Sequence, residues 1–128
     1  MYTAATLSLA LVETLVHIPA GLLPAYTAVS IDFDDSLVTT LDTKDLPTDW
    51  TNDPPAASTK AIGDAWASTA KSAVFRVPSV VVPTECNYLL NPKHPDFRRT
   101  VIGTPMPFPF DPRLPSREAR DRATKRRS

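Results

Sequence analysis

Few side chains in this sequence could do chemistry, and Glu13 is the most informative of them. It interrupts the apolar segment Leu-Ser-Leu-Ala-Leu-Val-Glu-Thr-Leu-Val-His-Ile of residues 7–18. His17 stands four residues later, so on a helix both side chains emerge on one strip. Two readings of that strip are open. It is the solvated face of the helix, since charged residues are rarely buried unpaired. Or, because Leu9, Val12 and Val16 surround it and leave no clean polar side, the helix is buried and Glu13 lines a cavity or meets a partner. Ser79 follows Val77 and Pro78 at the end of a β segment and is flanked by Val80, Val81 and Val82. It serves equally as a satisfied corner hydroxyl or as a site hydroxyl. Asn87, Asn91 and His94 form a polar group around Tyr88, Leu89 and Leu90. Asn91 before Pro92 is a turn former, and His94 between Lys93 and Pro95 is a surface turn residue. Cys86 paired with His94 as a nucleophile lacks a group to orient the imidazole.

Several chemistries are excluded by what is missing. The three glycines, Gly21, Gly63 and Gly103, are far apart, so no Gly-rich phosphate cradle of the Rossmann or P-loop kind exists. No serine sits in a Gly-x-Ser-x-Gly elbow. The single cysteine forms no internal disulfide, and with two histidines the ligands are too few for a closed zinc site, so no metal is expected. A reducing cytoplasm is the compartment that fits. The N-terminal apolar run is broken by Glu13 and His17 and has no basic stretch before it, which argues against a signal peptide or membrane span.

Net charge is zero, but residues 1–96 carry eleven acids and five bases while residues 97–128 carry nine bases and three acids. The run 113–128 has seven bases against two acids but no interleaved aromatics, so direct nucleic-acid binding is not expected.

The elements that must position these residues follow from periodicity. A chain of 128 residues suits one domain. Residues 6–18 read as an amphipathic helix capped by Thr6 and stopped by Pro19, Gly21 and Pro24. Residues 26–33 alternate as one strand, with Thr27, Val29, Ile31 and Phe33 on one side. The polar stretch 42–58 is loop, and Ser58 caps a short helix to Ala67 with Ile62 and Trp66 on its buried side. Residues 73–77 and 80–82 are brief β segments around the Pro78–Ser79 corner, and 87–90 is a further apolar segment. Residues 100–103 and 107–110 are short strands that their prolines confine to edges. From Arg113 the chain has no apolar stripe and reads as disordered or as a fraying helix. This order suggests an α+β fold rather than a doubly wound sheet.

Seven phrases in order resemble one family: residues 9–17, 46–50, 62–66, 76–83, 85–92, 94–97 and 110–114, among them Leu-Pro-Thr-Asp-Trp, Arg-Val-Pro-Ser-Val-Val-Val-Pro and Glu-Cys-Asn-Tyr-Leu-Leu-Asn-Pro. They are similar to the RES domain, named for an arginine, a glutamate and a serine. The resemblance spans residues 2–114, implying a partial RES domain at 1–114 and a basic, disordered tail at 115–128. It implies an ADP-ribosyltransferase-like mixed sheet and a toxin that consumes NAD as substrate, with no separate cofactor. Its implied partner is an Xre-type helix-turn-helix antitoxin. Glu13 falls on the family glutamate, Ser79 on the serine and Tyr2 on an active-site tyrosine, with His17 and Asn87 at pocket positions.

The family arginine lies upstream of that tyrosine, and only Met1 precedes Tyr2. Arg76 is a poor substitute, because alternation puts it opposite Val77 and Ser79. The expectation is therefore a start set too late or a truncated gene, with weak or absent activity. Missing strands would also leave sheet edges unpaired and lower solubility. The alternative is a non-catalytic remnant that binds the antitoxin.

Overall fold

The computed structural model describes residues 1–18, 25–111 and 113–114. The helix stop at Pro19, Gly21 and Pro24 and the tail 115–128 lie outside the described residues.

In chain order the elements are β1 (Tyr2–Ala4), α1 (Leu7–His17), β2 (Tyr26–Ala28), β3 (Ile31–Asp32), β4 (Val38–Thr40), α2 (Ala57–Ser68), β5 (Val74–Pro78), β6 (Cys86–Leu90), β7 (Val101–Ile102) and β8 (Met106–Phe108). Four strands form a mixed sheet in the order β1-β6-β5-β4, with β4 parallel to β5 and the other pairs antiparallel. The fold is α+β, as the element order suggests. No helix among the described residues is long and apolar enough to cross a membrane.

Helix α1 forms where the sequence places it. Thr6 Oγ1 accepts from Leu9 N at 3.1 Å, meeting one of the unpaired N–H groups of the first turn. A strand precedes this helix. Tyr2–Ala4 pairs with Leu89, Tyr88 and Asn87, which ties the N-terminus to the centre of the sheet.

Three other expectations are corrected. Residues 26–33 are not one strand but two, because the partner is broken. Ala28 pairs with Met106 and Ile31 with Ile102, so the partner carries one extra residue between them, at Gly103–Pro105. Gly103 N donates to Ser30 O at 2.7 Å, and a Cβ on Gly103 would run into the Ser30 hydroxyl. A larger residue at 103 would require the Ser30 side chain to turn away.

Residues 80–82 are not a strand either. They belong to the loop of the β5–β6 hairpin, which Ser79 N closes onto Glu85 O at 2.9 Å. Val82 N donates to Ser79 Oγ at 3.1 Å instead of to a neighbouring strand. Finally, Ser58 does not cap α2. Ala56 holds the N-cap position without a side-chain bond, and Ser58 Oγ donates to Asp49 Oδ1 at 2.9 Å, anchoring the preceding loop to the helix.

The sheet has two covered faces. On one, Val74 and Leu90 pack with Leu37 and Ala73, and Ile31, Phe33, Tyr88 and Phe97 lie against them. On the other, Phe75 stacks on Trp66 of α2 with ring centroids 5.3 Å apart. Register puts Phe75, Val77, Asn87 and Leu89 of this second face with Tyr2 and Ala4 of β1. Helix α2 is fastened there by Ser72. Its hydroxyl donates to Val74 O at 2.8 Å and accepts from Trp66 Nε1 at 2.8 Å, and Thr39 Oγ1 lies 2.6 Å away as a second donor. A Ser72→Ala variant leaves the buried indole N–H without an acceptor. It should lose about 1–3 kcal/mol of stability, read by chemical denaturation.

Candidate active site

Glu13 is buried, at 9% exposure, although α1 is not enclosed: Leu7, Val12 and Val16 on the same helix are exposed. Neither sequence reading of the strip holds in full. The helix keeps apolar residues in water, yet its one carboxylate faces the protein.

Three segments supply donors to that carboxylate. Tyr2 Oη on β1 donates to Glu13 Oε1 at 3.2 Å, and Ser79 Oγ in the hairpin loop donates to the same oxygen at 2.9 Å. Asn87 Nδ2 on β6 donates to Oε2 at 2.8 Å. Two of the donors, Ser79 and Asn87, are themselves oriented. Ser79 Oγ accepts from Val82 N, so its hydrogen is directed at Glu13. Asn87 Nδ2 spends its other hydrogen on Thr3 O at 3.2 Å. Both amide hydrogens are thereby committed, and Asn87 Oδ1 is left buried without a partner among the described residues.

Ser79 and Asn87 are both fully buried, at 0% exposure, and stand behind Glu13. Tyr2, Glu13 and His17 line a cleft of about 860 Å³ over the second face of the sheet. Phe75 and Leu89 floor it from the sheet, and its lining beyond them is apolar at Leu41, Leu46, Trp50 and Ile62. His17 is exposed and stands at the mouth. The structure thus brings together all five residues named from the sequence, two behind the carboxylate and three on the cleft.

Other candidates fall elsewhere. Arg76 is exposed, pairs with Tyr88 in register, and donates from Nε to Cys86 Sγ at 3.3 Å. Neither it nor Cys86 lines the cleft. His94 Nδ1 accepts from Asp96 N at 3.0 Å and caps a 3-10 turn, and Asn91 Oδ1 accepts from Lys93 N at 3.1 Å. Both are turn residues. No group of three or more His, Cys, Asp or Glu among the described residues could hold a metal ion. Trp50 and the exposed valines Val80 and Val81 on the cleft are what sequence reasoning missed. The signal was there for Trp50, in the Leu-Pro-Thr-Asp-Trp phrase, but nothing local assigned it a direction.

The RES domain family model matches residues 1–111, a range that contains the whole cleft. The chain belongs to the RES family. It is 42% identical over 116 residues to Toxin Res of Yersinia enterocolitica serotype O:8 / biotype 1B, an alignment covering 89% of this chain and 76% of that protein. It is 36% identical over 116 residues to Toxin Res of Photorhabdus laumondii subsp. laumondii, covering 89% and 74% respectively. With the Prs ADP-ribosylating toxin of Sphingobium sp. it shares 33% identity over 118 residues, covering 89% of this chain and 73% of that one.

The electrostatics of this RES site leave a signature at Tyr2. Partial burial pushes its phenol well above the ordinary tyrosine value, and the Glu13 charge and hydrogen bond add to the rise. A raised pKa keeps the proton on in the fold after the unfolded chain has lost it. The resulting stability is present below the ordinary tyrosine pKa and is lost as pH climbs through the folded one. In a spectrophotometric titration, one of the three tyrosines should ionise only in strong alkali. Glu13→Gln should bring it part of the way back, the share due to burial remaining.

Proposed function

We propose that this RES chain cleaves NAD at the nicotinamide–ribose bond and acts as a toxin that an Xre-type helix-turn-helix antitoxin silences. The observation that carries the reading is a buried carboxylate, fixed by three donors, on the wall of a cleft large enough for a dinucleotide. The family match and the names of the toxin relatives support a toxin role, and the Sphingobium relative's name supports ADP-ribose chemistry. A chain that destroys the NAD of its own cell requires a neutralising partner, and that partner is the antitoxin.

In the reaction the bond between ribose C1′ and the nicotinamide nitrogen breaks, and its electron pair leaves with the nitrogen. Positive charge builds on the ribose, and a carboxylate beside the ribose hydroxyls stabilises it, as in glycoside cleavage. Glu13 does this. Tyr2 borders the same space and orients the nicotinamide ring, with His17 at the mouth contacting the bound substrate. Ser79 and Asn87 act through Glu13 as positioning residues, holding each carboxylate oxygen on its own donor. Water, phosphate or a protein side chain then takes the ADP-ribose at C1′.

One observation favours a second reading, a non-catalytic module that keeps the fold and binds the antitoxin. Among the described residues no arginine or lysine lines the cleft, so the substrate's pyrophosphate meets no forked cation there. Under the catalytic reading, turnover should then fall about 10²–10³ below that of the Yersinia relative assayed alongside. NAD loss by the purified chain, followed enzymatically, checks both readings. Slow loss that Glu13→Gln abolishes supports catalysis. Loss that Glu13→Gln leaves untouched, or none above the protein-free rate, supports the binding module. Omitting phosphate and probing for ADP-ribosylated protein then identify the acceptor.

A further inference from the structure

Trp50 is a large flat ring without an aromatic neighbour. Among the described residues Trp66 stacks on Phe75, Phe33 meets Tyr88, and Tyr26 and Phe108 meet Phe110, but Trp50 joins no such pair. It is half-buried on the cleft wall beside Leu41, Leu46 and Ile62.

The segment that carries it is held in place before any ligand arrives. Trp50 N donates to Pro47 O at 3.1 Å and Asn52 N to Asp49 O at 3.0 Å. Ser58 Oγ ties Asp49 to α2 at 2.9 Å. A ring whose backbone is already held on an apolar wall has less freedom left to lose when another ring lies on it, which favours binding.

Its position is set by the sheet order. Tyr2 lies on β1, and the segment of Trp50 leaves β4, the opposite edge of the same four-stranded sheet. Leu41 N still bonds Arg76 O at 2.9 Å where the chain departs. Three strand spacings separate the two edges, roughly 14 Å.

Resting on the reading of the cleft as an NAD site, we infer that Trp50 is the platform on which the adenine ring lies. That reading fixes the nicotinamide ribose at Glu13. The rest of an extended dinucleotide must then run across the sheet, and its second flat ring ends at the far apolar wall. Asn52 and Asp53 at that end of the cleft offer a donor and acceptors to the adenine edge.

The experiment titrates the whole chain with AMP, which carries adenine but no nicotinamide, and reads tryptophan fluorescence. There are two tryptophans, and Trp66 is buried against Phe75. AMP should quench the native chain, and the quench should vanish in Trp50→Phe. By calorimetry Trp50→Ala should bind AMP about tenfold or more weakly, while Trp50→Phe, which keeps a ring, stays within a few-fold of native. In turnover Trp50→Ala should raise the KM for NAD by a similar factor with kcat unchanged. Cleavage of nicotinamide mononucleotide, which has no adenine, should not change. Far-UV melting of each variant confirms the fold. AMP affinity that is indifferent to Trp50→Ala overturns the inference, as does an equal loss on NAD and nicotinamide mononucleotide. An intact AMP response in a chain that leaves NAD uncut would uphold the adenine platform and sink the cleavage reading instead.

Discussion

A carboxylate removed from water has to be met by donors, because an ionised group buried without partners costs far more than a small domain can spare. In this chain that constraint falls on Glu13, and its three donors lie 11, 66 and 74 residues away. They come from the first strand, the hairpin loop and the second strand of that hairpin. Meeting one side chain therefore fixes the approach of α1 to the sheet, the seating of β1 on β6 and the shape of the loop after Pro78. Two of the donors are oriented by a further bond, Ser79 Oγ by accepting from Val82 N and Asn87 Nδ2 by donating to Thr3 O. The cost is the buried Asn87 Oδ1 left without a partner among the described residues.

The two faces of the sheet divide the work. Val74 and Leu90 anchor the core on one side, while Phe75, Val77 and Leu89, one residue out of step, line the cleft on the other. Period-two alternation in β5 and β6 thus separates stability from the site. The same alternation turns Arg76 away from Glu13, as the sequence reading of that strand anticipates. Helix α2 closes the cleft's far side through the stacked pair Trp66–Phe75 and the hydroxyl of Ser72.

Local physics made much of this legible. The cap at Thr6 and the apolar spacing after it define α1, and the prolines between residues 105 and 109 keep β8 in a two-stranded ribbon. The misreadings share one cause, in that pairing partners are invisible along the chain. Val80–Val82 has the β propensity of a strand, but Val82 N donates to the Ser79 hydroxyl three residues back, inside the hairpin loop. Residues 26–33 alternate cleanly, and only the extra residue opposite them splits the ladder.

Composition and motif order were sufficient to exclude Gly-rich phosphate cradles, to indicate an α+β domain and to assign the family, since these depend on residue types and their sequence spacing. Tertiary structure alone decided which way Glu13 faces. Its helix has apolar residues on nearly every side, so amphipathicity gives no direction, and four of those apolar positions on and around it differ widely in exposure. Only the arrival of Tyr2, Ser79 and Asn87 from three distant segments makes the buried orientation the favourable one. The wall of Trp50 was likewise settled by strand order, a property of the sheet that no local pattern contains.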